Sequence, residues 1–302
     1  MQPVPTSVSV SPSKIPVARP AVDADYPASA DDASCRARES LRPLDPLPAP
    51  GRMPAGSSMA EIVARGRIVV GVDQNTQYFA ARNHHEKDRI EGFDIDMAEA
   101  VGLALFGEPG HVAYRVITQA QRIPLLQNGE VDLVVDTMTI TCDRKRQVSF
   151  SGNYYDDGQR VLVPWDSPVA GIGDLRGKRV CTVRGTTSIA TLRDKGTLPY
   201  AVDNWTDCLV ALQRAEVDAV STTGALLAGL RAQDGDTKIV GPRFTDEPHG
   251  MAVRLDRADF VRFLNGTLTR MLADGTWERL ARTWLSPAFD GEPQKPETAY
   301  VG

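Results

Sequence analysis

The chain is 302 residues long, 42% hydrophobic and 24% charged, with a net charge of −5 and an isoelectric point near 5.5. That length buries one sizeable core or two smaller ones, and an excess of carboxylates with no basic block argues against an electrostatic grip on nucleic acid or anionic lipid. No apolar stretch approaches the roughly 18 to 20 residues that span a bilayer, and the N-terminus carries neither the basic nor the apolar region of a signal peptide.

Residues 1–57 hold 11 of the 21 prolines and show neither helical nor strand periodicity. Proline fixes φ and removes a donor, so this stretch reads as a tether or linker rather than a domain with its own core; the alternative is an arm partly packed on the domain, anchored through Cys35. From Gly66 the pattern becomes regular. RIVVGVD (67–73) predicts a strand, GFD (92–94) leads into the helical run DIDMAEAVGLAL, and VAYRVI (112–117) predicts a second strand. Asp94 is placed to cap that helix, with Ile95, Ala98, Gly102 and Leu105 on one face. A helix over 122–128 ends near Gly129, and VDLVVDT supplies a buried strand. The alternation resumes with KRVCTV (178–183), GTTSIATLRDKG, AVD, TDCLVALQRA, VDAVST and KIVG. Strands alternating with helices predict an α/β fold with largely parallel sheets.

The run from Arg122 to Tyr155 sets Arg122 and Arg144 at opposite ends of a helix–strand unit. An arginine fork recognises carboxylates through two bonds, so two forks suggest a ligand with two carboxylates. The same unit has an echo: LLQNGEVDLVVDT (125–137) and ALQRAEVDAVSTT (211–223) agree at seven of thirteen positions. Two related α/β lobes explain the echo, with Thr137 and Thr223 at matching strand ends, where open α/β sheets gather ligands. Gly185-Thr186-Thr187-Ser188 opens a helix whose free N–H groups and hydroxyls make an anion-binding cup; it lacks the Walker lysine and the GxGxxG spacing of nucleotide sites.

VGVD, GFDIDMAEAVG, RIPLLQNGEVDLVV, TMTIT followed by Arg144 and Lys145, VSFSGNYY and GKRVCTVRGTTS stand in an order and spacing, over roughly Ser57 to Ser286, that resemble the extracytoplasmic polar amino-acid-binding proteins of ABC importers, family 3 of the solute-binding proteins, and most of all actinobacterial glutamate/aspartate binders. The resemblance implies the two-lobed periplasmic-binding-protein fold of type II: lobe 1 at 58–157 plus 253–302, lobe 2 at 158–252, crossings near Asp157–Val163 and Pro248–Val253, and ligand in the cleft between lobes that close like a jaw. It implies no enzyme and no cofactor. Function would be capture of L-glutamate or L-aspartate, with the amides glutamine and asparagine as competitors, and delivery to an importer permease by an extracytoplasmic monomer held through an upstream lipid anchor. A sensor domain signalling to a membrane partner, or a dehydratase on the same fold, are the alternatives.

Carried over singly, Arg144 takes the α-carboxylate with the hydroxyl and backbone N–H of Thr139, Thr137 offers its carbonyl to the α-ammonium, and Arg122 faces the side-chain carboxylate. Thr186 and Thr187 line the second lobe and Arg184 adds charge to the cup. Family members place an aspartate for the ammonium where this chain has Thr223 or Gly224, and a buried ammonium without a carboxylate is costly; Asp73, at the end of the first strand, is the expected substitute. The extracytoplasmic setting permits disulfides, with Cys181 and Cys208 in one lobe the first choice and Cys142 open to Cys181 or Cys35. No cysteine shows metal spacing. His84 and His85 read as surface residues, Trp277 and Trp284 as core, and Tyr78 or Phe79 as a further ligand contact.

Overall fold

The computed structural model describes residues 35–83, 89–286 and 294–301; His84 and His85 lie outside them. The first half runs β1 (Glu39–Leu41), α1 (Ser58–Arg65), β2 (Ile68–Val72), β3 (Asn75–Thr76), β4 (Ala80–Asn83), β5 (Arg89–Glu91), α2 (Phe93–Phe106), β6 (Val112–Val116), α3 (Arg122–Gln127), β7 (Leu133–Val134), α4 (Cys142–Lys145) and β8 (Val148–Asp157). The chain then passes through β9 (Gln159–Pro164), β10 (Arg179–Val183), α5 (Ser188–Asp194), β11 (Leu198–Val202), α6 (Trp205–Gln213), β12 (Ala219–Thr223), α7 (Gly224–Gln233) and β13 (Thr237–Val240). It returns with β14 (Glu247–Arg254), α8 (Ala258–Ala273), α9 (Thr276–Trp284) and β15 (Ala299–Val301). None of the described helices is long and apolar enough to cross a membrane.

Two five-stranded sheets carry the two lobes, ordered β6-β2-β7-β14-β8 and β11-β10-β12-β9-β13. They share one plan. Three strands run parallel, the fourth is antiparallel to the third, and the fifth is antiparallel to the fourth. The echoed segments fall on α3–β7 and α6–β12, and β7 and β12 occupy the same third place in their sheets. Strands so enclosed carry Ile68, Val70 and Val72 in the first lobe and Val161, Val163 and Val180 in the second, all nearly inaccessible, as buried parallel sheets require. Trp277 is fully buried and donates its indole N–H to the Tyr154 carbonyl (2.8 Å), while half-buried Trp284 donates to Asp96 (2.7 Å), so both belong to the core and its edge.

Several expectations need correcting. Residues 35–57 are not a free tether. Cys35 is bridged to Cys142, β1 pairs in parallel with β15, and Leu41, Leu44, Leu47 and Met53 pack against the first lobe. Buried Asn265 of α8 clasps this arm, donating to Ser40 Oγ (2.9 Å) and the Leu41 carbonyl (2.6 Å) and accepting from Gly152 N (2.6 Å). The proline content correctly denies the arm a core of its own, but the arm borrows one, and proline lowers the entropy lost on ordering. The second crossing lies at 241–246 rather than 248–253, because the whole of β14 pairs with β8, from Glu247 opposite Asp157 to Arg254 opposite Val148. Asp94 does not cap α2. Gly92 is the N-cap, and Asp94 sits buried in the first turn, accepting from the Tyr154 hydroxyl (2.7 Å) and Thr137 N (2.8 Å). The cysteines form two bridges, Cys35–Cys142 and Cys181–Cys208, the latter joining β10 to α6.

The first crossing is a single glycine. A Cβ on Gly158 would stand 2.1 Å from the Thr245 carbonyl oxygen, so the two crossings touch backbone to backbone. Asp157, just before it, accepts from Gly158 N and Ala225 N (both 2.8 Å) and lies 3.3 Å from the Arg243 guanidinium. Burial nonetheless pushes its carboxyl up to about 6.

Candidate ligand-binding site

The carboxyl ends of β7 and β12 face one another across the crossings, and the predicted arginines meet there. Arg122 is fixed at the start of α3: Nε donates to the Gln119 carbonyl and Nη1 to the Asp136 carbonyl, each at 3.0 Å. Arg144, on the short α4 capped by Thr141, donates Nη1 to the Thr139 carbonyl (2.8 Å). Both reach across to the other lobe, where Arg122 Nη2 and Arg144 Nη2 each donate to the Gly185 carbonyl at 3.0 Å. Gly185 has φ +74°, and a Cβ there would lie 2.5 Å from Ala120 Cα, so the lobes are shut onto each other at this residue.

Behind this contact is an inner cavity of about 20 Å³. From the first lobe Arg122, Thr137, Thr139 and Arg144 line it; from the second come Thr186, Thr187, Trp205 and Thr223. Thr137 takes φ +41°, an uncommon conformation for a β-branched residue, held by its N–H to Asp94. The structure therefore gathers Arg122, Thr137, Thr139, Arg144, Thr186 and Thr187. It separates two others. Arg184 pairs with Asp203 (2.8 Å) and does not line the inner cavity; it borders an outer opening of about 510 Å³ that Arg122 and Arg144 also line. Asp73 does not line the cavity, because its carboxylate is taken up by its own turn: it accepts from Gln74 N (2.6 Å), Asn75 N (3.2 Å), Thr76 Oγ1 (2.5 Å) and Gln119 Nε2 (3.2 Å). Nor do Tyr78 and Phe79 reach the cavity; Phe79 is core, packed edge-on to Phe93 and Tyr155.

Residues not anticipated from sequence complete the walls. Glu247, first residue of β14, is 5% exposed and accepts from Thr139 Oγ1 (2.9 Å), Gln159 Nε2 (2.7 Å) and Thr245 Oγ1 (3.1 Å). Trp205, just beyond the end of β11, has a buried indole N–H without a partner, and so has the Thr223 hydroxyl. The strand-end rule points to Trp205, since it follows AVDN; Glu247 was readable as the one acid opening an otherwise buried strand.

The electrostatics are set by burial. Arg144 is 2% exposed, yet its bonds go only to carbonyl oxygens and it ion-pairs with no carboxylate among the described residues. Asp136 lies 3.8 Å from Arg122 through an oxygen that has no hydrogen-bond partner; burial and neighbouring Asp73 and Asp94 push its carboxyl well above the usual carboxylate range, against the pull of Arg122. Burial likewise raises Asp94 to about 7. His249, stacked on Tyr155 with both ring nitrogens unpartnered, is lowered to about 3 by burial and by Arg122, Arg144 and Arg243. Among the described residues no cluster of His, Cys, Asp or Glu is arranged to hold a metal ion.

The profile of the family described as "Bacterial extracellular solute-binding proteins, family 3" matches residues 68–287. The chain is 33% identical over 231 residues to the ABC transporter glutamine-binding protein GlnH of Bacillus subtilis (strain 168), covering 76% of this chain and 84% of that one. It is 32% identical over 248 residues to the glutamate-binding protein GluB of Corynebacterium glutamicum, covering 78% and 83%. Among solved structures, an ancestral arginine-binding protein bound to arginine is similar at 32% identity with a TM-score of 0.67, covering 73% of this chain and 99% of that one. The cysteine-binding protein of Campylobacter jejuni, at 23% identity, shares the fold with a TM-score of 0.74, covering 79% and 96%.

Proposed function

The chain belongs to the bacterial extracellular solute-binding proteins of family 3, and from that premise we propose that it captures an acidic L-amino acid, glutamate or aspartate, by lobe closure and delivers it to the permease of an ABC importer. Its family is one of solute-binding proteins and not of enzymes. Relatives named for glutamine, glutamate and arginine share the fold, so the choice of ligand must come from the cavity itself.

The observation that carries the acidic reading is Arg144, buried with neutral partners only, beside Arg122 and converging with it on one point. A buried guanidinium is stabilised when a carboxylate completes it, and each charge-assisted bond contributes about 1.5–3 kcal/mol. Arg144 takes the α-carboxylate with Thr139, and Arg122 takes the side-chain carboxylate. The unpartnered Trp205 N–H and Thr223 hydroxyl of the second lobe supply further polar contacts once ligand is enclosed. Closure excludes water and strengthens each of these bonds. Monomeric state and a lipid anchor upstream of the arm belong to the same proposal.

Titration calorimetry of the full chain against L-glutamate, L-aspartate, L-glutamine and L-asparagine tests the reading. The acids bind at least about tenfold more tightly than their amides, and Arg122→Ala removes that difference, since one charge-assisted bond is worth a factor of this size or more. Equal affinity for glutamate and glutamine overturns the acidic assignment.

A further inference from the structure

We propose that Glu247 is the counter-ion of the ligand's α-ammonium, a role that rests on the amino-acid-binding reading above. Three observations support it independently of ligand identity. First, Glu247 lines the inner cavity and is 5% exposed. Second, all three of its donors are neutral, namely the Thr139 and Thr245 hydroxyls and the Gln159 amide, and among the described residues no cation ion-pairs with it. Neutral donors satisfy the lone pairs of a carboxylate but leave its charge uncompensated in a poorly polarisable setting. Third, the arrangement is bipolar around one residue: Arg144 donates to the Thr139 carbonyl while the Thr139 hydroxyl donates to Glu247. Among the described residues Arg144 and Glu247 do not ion-pair with each other or with any other side chain, although both are buried. A cation and an anion held on either side of one threonine match a zwitterion, carboxylate to Arg144 and ammonium to Glu247.

Glu247 is also the residue at which the first lobe and the two crossings converge. Thr139 comes from the first lobe, Gln159 opens the strand beyond the first crossing, and Thr245 lies in the second crossing. An ammonium bound here is therefore read at the hinge, while the two arginines read carboxylates at the Gly185 contact. The consequence is selection for α-amino acids over dicarboxylates of the same length, which satisfy both arginines equally well and leave Glu247 bare.

The test compares each acidic amino acid with the same molecule lacking its amino group, L-glutamate with glutarate and L-aspartate with succinate, by calorimetry on the full chain. For the amino acid bound more tightly, Glu247→Gln weakens binding by about 10- to 150-fold, the range expected for one lost charge-assisted bond, and leaves its des-amino partner within about threefold. Glu247→Asp, which keeps the charge on a shorter arm, lies between. Asp73→Asn, the control, binds as the wild type does. A Glu247→Gln protein that binds the amino acid as the wild type does, or that loses both molecules equally, overturns the assignment of Glu247, the second outcome marking a strut of the hinge. If only Asp73→Asn loses the amino acid, the ammonium lies elsewhere and the assignment fails. Wild-type protein that binds no amino acid overturns instead the reading on which the assignment stands.

Discussion

Replacing Gly185 by alanine isolates the closing contact from everything else the protein does. The added Cβ meets Ala120 Cα at 2.5 Å, Ala120 N at 2.7 Å and the Gln119 carbonyl carbon at 2.9 Å, all backbone of the opposite lobe, so no rotamer change relieves it. Restoring ordinary contact separates the lobes by about 1 Å, which stretches the Arg122 and Arg144 bonds to the Gly185 carbonyl from 3.0 Å beyond hydrogen-bonding range. Two charge-assisted bonds at about 1.5–3 kcal/mol each give about 3–6 kcal/mol lost from the closed form, or roughly 10²- to 10⁴-fold in affinity. A non-glycine residue at φ +74° adds about 1–2 kcal/mol of local strain. Gly177→Ala controls for that strain, since Gly177 has φ +72° in the same lobe with nothing within 4 Å. Calorimetry against L-glutamate reads the affinity, and small-angle scattering with and without ligand reads the compaction. Gly185→Ala loses both, whereas Gly177→Ala keeps both at a similar drop in thermal stability. Wild-type affinity and compaction in Gly185→Ala would refute the argument that this backbone contact governs closure.

Acid stability gives a second test. The folded value of His249, about 3 against an ordinary 6.5, means that the unfolded chain takes up the proton first; the contribution is present above about 6.5 and is lost as pH falls from there toward 3. At about 1.4 kcal/mol per pH unit this amounts to roughly 2 kcal/mol between pH 7 and pH 5. His249→Phe, which keeps the stack on Tyr155, shows a loss smaller by that amount in urea titrations at the two pH values; Asp94, raised to about 7, has the opposite sign but acts in both proteins. Identical pH dependence would refute the assignment. At the clasp on the arm, Asn265→Ala of α8 removes three hydrogen bonds and leaves Gly152 N without its Asn265 partner, a loss of about 2–4 kcal/mol in denaturant titrations, with faster proteolysis between residues 42 and 57. Unchanged stability and protection would show that the clasp contributes nothing.

The lobes and the arginines were legible because the information is local or periodic: helix–strand alternation gives the α/β class, the echo at 125–137 and 211–223 gives equivalent places in two sheets, and the fork chemistry of Arg122 and Arg144 survives any small change of register. Two failures have a common cause. The prolines of 35–57 say that the arm lacks a core, which is true, but not that α8 and α2 would lend one. Asp73 stands at a strand end as a ligand-facing acid should, but the fate of its carboxylate depends on Gln119, 46 residues away, and on its own turn. Glu247 gains its place through Thr139, 108 residues distant. Hydrogen-bond partners that far apart leave no trace in spacing.

The clasped arm has a mechanical consequence. A pull on the chain at Cys35 passes through the bridge to Cys142, the β1–β15 pair and Asn265, and every one of these anchors belongs to the first jaw. Among the described residues the second jaw hangs from the two crossings and touches the first at the Gly185 contact and around Asn75 and Gln77, where Asn75 donates to Asn204 (3.4 Å) and Gln77 lies against Gly229. Whatever holds the protein by its N-terminal end thus grips one jaw as a handle, together with the edge of the hinge where Arg38 of the arm pairs with Asp246 of the second crossing (2.6 Å), and the other jaw swings from that hinge.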